Sequence, residues 1–299
     1  MLPGMSAKDQ KKHSAKSHIT ILGAGNLAGA LATSLHHAGY GIEQIVVRKA
    51  KGSLRRAKRL ANELGTSAAV LGRTRINADV VWFCVPDGVI ASAASFMKDS
   101  ADWTRKIAFH SSGALSSAEL DELRRRGAAV ASIHPLMTFV RGSRPSLTGV
   151  SFAIEGDTSA VRIARNIVKN LGGKAYTIRP KEKAAYHAWG TFASPLLTAL
   201  LAVIEQVAAV AGVKSKAARR RVLPIVAQTI ANYGSLGAPA AFSGPLVRGD
   251  VETVKRHLQM LRKLPVELEV YVALAKAALH YLPVKQKEQL RKVLTQALR

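Results

Sequence analysis

The chain of 299 residues contains a single cysteine, Cys84, so no disulfide bond can form within it. Cys84 lies in an apolar segment at residues 80–85, where a buried strand is expected. No spacing of cysteine and histidine typical of a metal site is present. These absences exclude the small disulfide-bonded secreted domains and favour a reducing, cytoplasmic location.

Acidic residues are also scarce, with 19 Asp and Glu against 44 Lys and Arg, which gives a formal net charge of +25. A nucleic-acid-binding protein is one explanation of such an excess. However, the cations are spread over helix faces, and no nucleic-acid module or run of stacking aromatics accompanies them. The charge therefore indicates mainly solvated surface, with some help for an anionic substrate, and nucleic acid is disfavoured as a partner.

Long apolar runs are rare. The first 17 residues are polar and basic and lack the apolar segment of a signal peptide, so residues 1–17 are predicted to be a disordered tail. One apolar run, at residues 192–213, is long enough to cross a bilayer, but Glu205 and Gln206 interrupt it. It is predicted to be a buried helix of a helical domain rather than a membrane segment.

A glycine-rich turn follows the first apolar strand. Residues 19–22 run into Gly23, Gly25 and Ala28, spaced as Gly-x-Gly-x-x-Ala, and a helical pattern begins at once with Asn26 and Leu27. Such a turn lets backbone N–H groups approach a pyrophosphate, which then lies at a helix N-terminus. The helix at residues 27–37 and a second strand at 42–47 complete a β-α-β unit, so a dinucleotide-binding turn is favoured over a glycine-rich turn without a ligand.

The second strand is followed by Arg48, Lys49 and Ser53 rather than by the Asp or Glu that holds the ribose of NAD. Cations with a hydroxyl suit a 2′-phosphate, because they offer Coulomb attraction and hydrogen-bond donors together. The alternative is that any loop in so basic a chain carries lysine and arginine. NADP is the predicted cofactor, ahead of NAD.

Strand and helix patterns alternate as far as residue 180 and then give way to helical patterns alone. This predicts a doubly wound, mostly parallel sheet at residues 18–180 and an all-helical domain at 181–299. A capping box is predicted at Ser116, three residues before Glu119. Helix breaks are expected at Gly212, residues 234–245, Pro265 and Pro283. The predicted strands cover residues 19–22, 45–47, 80–85, 106–110, 129–134, 152–154 and 175–178.

Polar residues follow three of the predicted parallel strands, at the edge where ligands of such sheets bind. They are Pro86-Asp87, residues 110–113 (HSSG) and His134-Pro135. His110 and His134 are candidates to donate a proton or to hydrogen-bond a substrate carbonyl, and the alternative for each is a histidine satisfied by backbone partners.

A second cluster lies in a break between helices, at residues 243–250 (SGPLVRGD). Arg248, flanked by glycine, is a candidate to clamp a carboxylate or phosphate. Asp250 is favoured as the cap of a helix at residues 251–264.

Seven motifs together resemble the Rossmann-like proteins that carry a DUF2520 domain, relatives of pyrroline-5-carboxylate reductase, F420-dependent NADP oxidoreductase and the β-hydroxyacid dehydrogenases. The motifs are residues 21–27 (ILGAGNL), 85–87 (VPD), 110–113 (HSSG), 132–136 (SIHPL), 152–157 (FAIEGD), 183–188 (KAAYHA) and 243–258 with SGP, RGD and HL. The resemblance implies a Rossmann domain followed by a helical domain like the C-terminal domain of 6-phosphogluconate dehydrogenase. It places the DUF2520 region at about 148–280 and adds F420 as an alternative cofactor.

In the β-hydroxyacid dehydrogenases, a lysine and an asparagine four residues apart act as proton donor and substrate ligand. Here Lys183 matches the lysine, and His187 stands in the asparagine position. Ser112-Gly113 resembles the Ser-Gly-Gly substrate turn of those enzymes, with Ala114 in place of the second glycine. Pro195 occupies a turn where the family tends to carry asparagine and is expected to kink the helix.

The sequence thus predicts an NADP-dependent oxidoreductase that transfers a hydride to or from a small carbonyl, hydroxyl or imine compound held between the two domains of a homodimer. The alternative is a dinucleotide-binding regulatory protein of the same fold without turnover. The candidate catalytic residues are Lys183, His187 and His110. The candidate cofactor-binding residues are Gly23, Gly25, Asn26, Leu27, Arg48, Lys49, Ser53, Val85, Pro86 and Asp87. The candidate substrate-binding residues are Ser111, Ser112, Gly113, His134 and Arg248.

Overall fold

The computed structural model describes residues 16–298, so the tail predicted at residues 1–17 lies outside the described residues apart from its last two positions. The chain forms two compact units, of which the first ends at Phe192 and the second begins at Ala193. The domain boundary predicted after residue 180 stays a prediction.

The first unit is built on one eight-stranded sheet in the order β3-β2-β1-β4-β5-β6-β7-β8. Neighbouring strands are parallel except for the antiparallel pair β6 and β7. This confirms the predicted doubly wound, mostly parallel sheet. The strands are β1 (His18–Leu22), β2 (Gly41–Val47), β3 (Ser67–Val70), β4 (Val80–Phe83), β5 (Ile107–His110), β6 (Ala129–Pro135), β7 (Ser151–Gly156) and β8 (Lys174–Thr177).

Helices cover the sheet because its central strands are apolar on both faces and must be buried on both. Separate clusters of buried apolar side chains lie on the two faces, one around Trp82 and Phe109 and the other around Phe83 and Trp103. The first unit contains α1 (Asn26–His37), α2 (Lys51–Glu63), α3 (Ile90–Met97), α4 (Asp121–Arg124), α5 (Thr158–Asn170) and α6 (Lys183–Thr191), with short 3₁₀ turns at Asp87–Val89, Ser117–Leu120 and Pro180–Glu182.

The second unit is helical throughout its described residues, as the sequence predicts. Its core is formed mainly by α10, α11 and α12, around Val254, Val272 and Leu290. Glycine at 237 interrupts α8 with a φ of 75°, and α11 begins at Pro265, so the predicted helix breaks are present. The helices are α7 (Leu197–Val210), α8 (Ser215–Ala241), α9 (Pro245–Arg248), α10 (Val251–Leu261), α11 (Pro265–Tyr281) and α12 (Lys287–Gln296).

The predicted kink at Pro195 takes the form of a π-helical turn, Phe192–Leu196, between α6 and α7. A proline inside a helix lacks the N–H for an internal hydrogen bond, and a π turn accommodates that loss. The apolar run around this turn was predicted to be buried, and that prediction is wrong for the single chain, because α7 contains no buried residue. The core of the second unit is assembled from α10 to α12, and α7 contributes only the half-buried Val207 to its edge.

Among the described residues, one helical stretch, Pro180–Val210, is long and apolar enough to span a bilayer, with a mean hydropathy of 1.7. The stretch meets this criterion by its length and composition alone, and helices of soluble proteins can meet the same criterion.

The two predicted helix caps have different outcomes. Asp250 caps α10 as predicted, and its carboxylate accepts a hydrogen bond from the Thr253 backbone N–H at 3.0 Å. The capping box at Ser116 is wrong, because the Ser116 side chain makes no capping bond. The Glu119 N–H donates to the Ser116 backbone oxygen at 3.1 Å, and the Ser117 N–H donates to the carboxylate of Glu155, on the distant strand β7, at 2.7 Å.

Candidate active site

The glycine turn between β1 and α1 is shaped for a ligand. Gly23 has a φ of 122°, and a Cβ atom there would lie 2.2 Å from the backbone oxygen of Cys84, so only glycine fits. A Cβ atom on the exposed Gly25 would meet no heavy atom within 4 Å, and no side chain caps α1. The open backbone N–H groups at this helix N-terminus are suited to a pyrophosphate.

Asn26 and Leu27 form the first turn of α1. The Asn26 side-chain amide donates to the Phe139 carbonyl oxygen at 3.2 Å, which fastens the loop after β6 to the glycine turn. Leu27 is half-buried. Asn26 therefore helps to shape the turn, and the backbone N–H groups of both residues lie at the N-terminus of α1.

The predicted cationic cluster lies at the end of β2 and the start of α2. Arg48 and Lys49 are exposed, and Ser53 is half-buried and accepts a hydrogen bond from Arg56 at 3.3 Å. No Asp or Glu lies between Val47 and Glu63. The end of this strand is therefore cationic and suits a phosphate more than a ribose hydroxyl.

The loop after β4 carries Val85, Pro86 and Asp87. Val85 is half-buried, Pro86 is exposed, and the Pro86 carbonyl oxygen starts a 3₁₀ turn by accepting from the Val89 N–H at 2.9 Å. The Asp87 carboxylate accepts a hydrogen bond from the Ser112 hydroxyl at 2.8 Å. The loop is thus joined directly to the turn after β5.

Ser112 holds the turn after β5 together. Besides donating to Asp87, its hydroxyl oxygen accepts hydrogen bonds from the backbone N–H groups of Ala114 and Leu115, at 3.2 and 2.9 Å. Ser111 is likewise engaged, because its hydroxyl accepts from the Trp82 indole N–H at 2.8 Å. Both hydroxyls were predicted to bind substrate, and in this structure both are occupied by bonds within the protein.

His110 is fully buried at the end of β5. Its Nε2–H donates to the Ser116 carbonyl oxygen at 2.9 Å, and its Nδ1 accepts from the Ser112 N–H at 3.1 Å. Burial, helped by the charge of Lys183, lowers the pKa of His110 to about 4, so the ring is neutral at pH 7. Both ring nitrogens are therefore committed to the backbone, which is the structural alternative that the sequence left open for this residue.

Lys183, at the start of α6, is fully buried. Its ammonium group donates to the Ser112 carbonyl oxygen at 3.0 Å and to the Ser132 hydroxyl at 2.6 Å. Burial lowers the pKa of Lys183 to about 8, while the nearby carboxylates of Glu155 and Asp87 oppose the shift. A lysine is rarely buried without such partners, so this cation is a built feature of the turn.

Glu155 stands behind that lysine. In the β6–β7 pair it lies directly opposite Ser132, whose hydroxyl binds the ammonium group of Lys183. The Glu155 carboxylate is buried and accepts from both the N–H and the hydroxyl of Ser117. A carboxylate, a serine hydroxyl and an ammonium group thus lie side by side beneath the turn.

Gly113 is buried, and two imidazoles pack against the turn at this residue. A Cβ atom there would lie 2.5 Å from Cδ2 of His187 and 2.9 Å from Nε2 of His134, so the two imidazoles flank this glycine. His134 is half-buried, and burial together with the charge of Lys183 lowers its pKa to about 4. His187 is exposed. Two imidazoles that lie beside this turn without being fully buried can donate hydrogen bonds and exchange protons with a carbonyl or imine group.

The structure brings together the predicted residues of the first unit, at the carboxyl edge of the sheet. Arg248 lies in the second unit, exposed at the end of α9 and followed by Gly249 in a left-handed conformation. Sequence reasoning missed Ser132, Glu155 and Tyr186 as parts of the site. The signal for Tyr186 was its position three residues after Lys183, which places the two on adjoining turns of one helix face.

Two family models match the chain. Residues 18–108 match the family described as NADP oxidoreductase coenzyme F420-dependent, and residues 150–278 match the Domain of unknown function (DUF2520). These two matches, each over less than half of the chain, confirm the resemblance drawn from the motifs. The first match supports NADP as the dinucleotide. A comparison with curated proteins gives no match.

Solved structures share the fold over nearly the whole chain. A Bacteroides fragilis protein assigned as an NADP oxidoreductase has a TM-score of 0.75 at 20% identity and covers 88% of this chain and 98% of its own. An Aspergillus terreus reductive aminase in complex with NADPH and ethyl-5-oxohexanoate has a TM-score of 0.61 at 14% identity, covering 93% and 99%. A Coxiella burnetii pyrroline-5-carboxylate reductase has a TM-score of 0.56 at 15% identity, covering 94% and 97%. At these identities the likeness establishes the fold alone.

Proposed function

We propose that the protein is an NADP-dependent oxidoreductase acting on a small carbonyl, hydroxyl or imine compound. The observation that carries the proposal is the presence, at one edge of one sheet, of an uncapped glycine turn and a second turn flanked by two imidazoles. The family match of the N-terminal region supports the same class. The reductive aminase and the pyrroline-5-carboxylate reductase that share the fold support a C=O or C=N group as the reacting centre.

The residues of the first unit fit the dinucleotide. The backbone N–H groups that follow Gly25 hold the pyrophosphate, and Arg48, Lys49 and Ser53 hold the 2′-phosphate. The loop at residues 85–87 would border the nicotinamide, because it lies at the carboxyl end of β4. When bound, NADPH supplies the hydride that the substrate carbon gains.

His187 carries the proton in this proposal. In the reductive direction its imidazolium donates a proton to the substrate oxygen or nitrogen as the carbon gains the hydride, and the neutral ring then takes a proton from solvent. The oxidative direction reverses both transfers. His187 is chosen because it lies beside Gly113 and is exposed, whereas both nitrogens of His110 are bonded to backbone and the Lys183 ammonium group is fully buried.

Lys183 and His110 become positioning residues. The Lys183 ammonium group fixes the Ser112 carbonyl and supplies a positive charge beneath the turn. That charge favours the neutral form of the neighbouring imidazole of His134. Ser111 and Ser112 keep the turn in shape through their hydroxyls, so the substrate meets the imidazoles beside Gly113 rather than these side chains.

A second copy of the chain is the proposed partner, together with the small-molecule substrate. The second unit exposes large apolar side chains along α8, among them Leu223, Ile225, Ile230, Tyr233 and Leu236. A patch of that kind is typical of a protein interface. Arg248 remains a candidate ligand for an anionic group of the substrate, because its guanidinium is exposed and can bind a carboxylate at two points.

Turnover tests the proposal. The purified chain is assayed for NADPH oxidation with a panel of 2-oxo acids, aldehydes, cyclic imines and F420, and for NADP reduction with hydroxy acids. We expect turnover with at least one member, and a loss of about 10²-fold or more in kcat for His187→Gln with unchanged NADPH affinity. Tight nucleotide binding without turnover would instead establish the regulatory alternative.

A further inference from the structure

His134 is the second imidazole beside Gly113, and one of its two ring nitrogens is held by a hydrogen bond. Its Nδ1 lies 2.8 Å from the hydroxyl oxygen of Tyr186, and the two rings meet edge to face with centroids 5.4 Å apart. Its Nε2, which makes no hydrogen bond among the described residues, lies 2.9 Å from the position that a Cβ atom of Gly113 would take, beside the exposed His187. The bond to Tyr186 therefore decides whether this Nε2 carries a proton.

The side chain of Tyr186 is fixed in position, so its hydroxyl can determine the tautomer of His134. Its side chain is buried against Ala153 of β7 and Ile178, the first residue after β8, so the helix α6 is seated on the sheet at this point. Its hydroxyl lies 3.4 Å from the His134 carbonyl oxygen, well beyond the 2.8 Å that separates it from Nδ1. The shorter contact takes the single hydroxyl proton. Nδ1 is then the acceptor, and the ring proton is on Nε2.

We propose that Tyr186 is a positioning residue that fixes His134 in its neutral Nε2–H form, so that His134 polarises the C=O or C=N group of the substrate by a hydrogen bond from Nε2. This inference rests on the oxidoreductase function proposed above and assigns a different role to each of the two imidazoles. His134 donates a hydrogen bond and keeps its proton, while His187 transfers one. A neutral imidazole in this role avoids forming a buried cation next to the ammonium group of Lys183.

The surroundings of His134 agree with a ring that stays neutral. Burial opposes a positive charge on the ring, and the Lys183 cation opposes it further. The titratable groups that face the ring are Lys183, Tyr186 and His187 from α6, Asp87 from the loop after β4 and His110 from β5.

The tautomer can be measured without any substrate. Long-range ¹H–¹⁵N spectra of the full-length, histidine-labelled protein are recorded between pH 5.5 and 8, with the His134 signals assigned by their loss in His134→Gln. We expect a neutral Nε2–H ring throughout this range in the wild type. In Tyr186→Phe we expect a mixture of tautomers or a ring that takes up a proton at a higher pH. A ring protonated on Nδ1 at pH 7, or an unchanged spectrum in Tyr186→Phe, would overturn the proposal.

Tyr40→Phe is the matched control. Tyr40 is equally buried, and its hydroxyl accepts one hydrogen bond, from Asn170 at 2.7 Å, but it immediately precedes β2, at the opposite edge of the sheet. Its loss should leave the His134 spectrum unchanged. The His110 signals report folding of the turn in every variant, so a misfolded Tyr186→Phe is recognised by their change.

Two further variants keep the test independent of Tyr186. The Gln amide nitrogen replaces Nε2 of histidine as a donor, whereas that of Asn corresponds to Nδ1. With an acceptor found by the turnover assay, His134→Gln should retain at least tenfold more kcat than His134→Asn, with similar NADPH affinity. Equal activity of the two would contradict a donor role for Nε2. Because the spectra need no turnover, a failure of this inference is distinguishable from a failure of the oxidoreductase proposal.

Discussion

At the scale of single residues, the turn after β5 separates side chains that are bonded within the protein from the two imidazoles beside it. Ser111, Ser112 and His110 use their polar atoms in bonds within the protein, and the rings of His134 and His187 lie against Gly113. The residue types of this motif led to the prediction of a site here, and that stays a prediction. Their hydrogen-bond partners were not predictable, because Trp82, Asp87 and Ser116 are brought to the turn by the fold.

Gly113→Ala tests the space at the turn. The added methyl group would lie 2.5 Å from Cδ2 of His187 and 2.9 Å from Nε2 of His134, so both rings must move. We expect kcat to fall at least tenfold while the NADPH dissociation constant stays within about twofold, since a displacement near 1 Å can cost as much as 10²-fold in rate. Steady-state kinetics and nucleotide titration measure the two effects, and unchanged kcat would argue against substrate binding at Gly113.

The buried, neutral His110 leads us to expect that the free energy of unfolding depends on pH. Its pKa falls from 6.5 to about 4 on folding, so between these values the unfolded chain binds more protons. The stabilisation is complete above pH 6.5 and is lost as the pH falls towards 4. A shift of this size is worth about 2 kcal/mol between pH 7 and pH 5.

Urea unfolding of the wild type and His110→Gln at pH 7 and pH 5 measures that contribution. The variant should be less stable at pH 7, because two buried hydrogen bonds are lost, and should lose less stability on acidification. The remaining decline belongs mainly to His134, whose pKa is lowered in the same direction. Equal declines in the two proteins would contradict a neutral buried His110.

At the scale of elements, α6 brings three functional side chains to the sheet with different exposures. Lys183 and His187 are four residues apart and so share one face of the helix, but sequence alone does not show that one is fully buried and the other exposed. That difference arises because Tyr186 packs the start of the helix against β7 and the end of β8.

Strand β3 was not predicted from the sequence. Ser67–Val70 consists mostly of small residues, and its pairing with β2 decides its conformation.

Glu155→Gln tests whether the carboxylate that β7 places opposite β6 acts on the ammonium group of Lys183. The Glu155 carboxylate raises the pKa of Lys183 against the effect of burial, so removing its charge should lower that pKa below about 8. Spectra of lysine labelled with ¹³C at Cε follow the titration, and Glu63→Gln is the control because Glu63 pairs with Arg144 on the surface. A Lys183 titration that does not move would show that Glu155 does not act on the ammonium group.

At the scale of the whole molecule, the apolar run after residue 192 was interpreted correctly as helical and incorrectly as buried. Hydropathy shows that an apolar surface must be covered but not whether the same chain covers it.

The exposed apolar side chains of α8 predict a homodimer. Ile230→Lys/Tyr233→Lys should shift the molar mass measured by light scattering towards the monomer, whereas Gln289→Lys, at an exposed polar position of α12, should not. A wild-type monomer would contradict the proposed partner.

The most direct test of the central claim is a fluorescence titration of the wild-type protein with NADPH and NADH at 50 and 150 mM salt. We predict tighter binding of NADPH at both salt concentrations. Arg48→Ala should weaken NADPH binding roughly tenfold and leave NADH binding unchanged, because one charged hydrogen bond to the 2′-phosphate is lost. Arg59→Ala, which removes a cation of the adjoining helix α2 that pairs with Glu63, should change neither. Failure to bind either nucleotide would contradict the account.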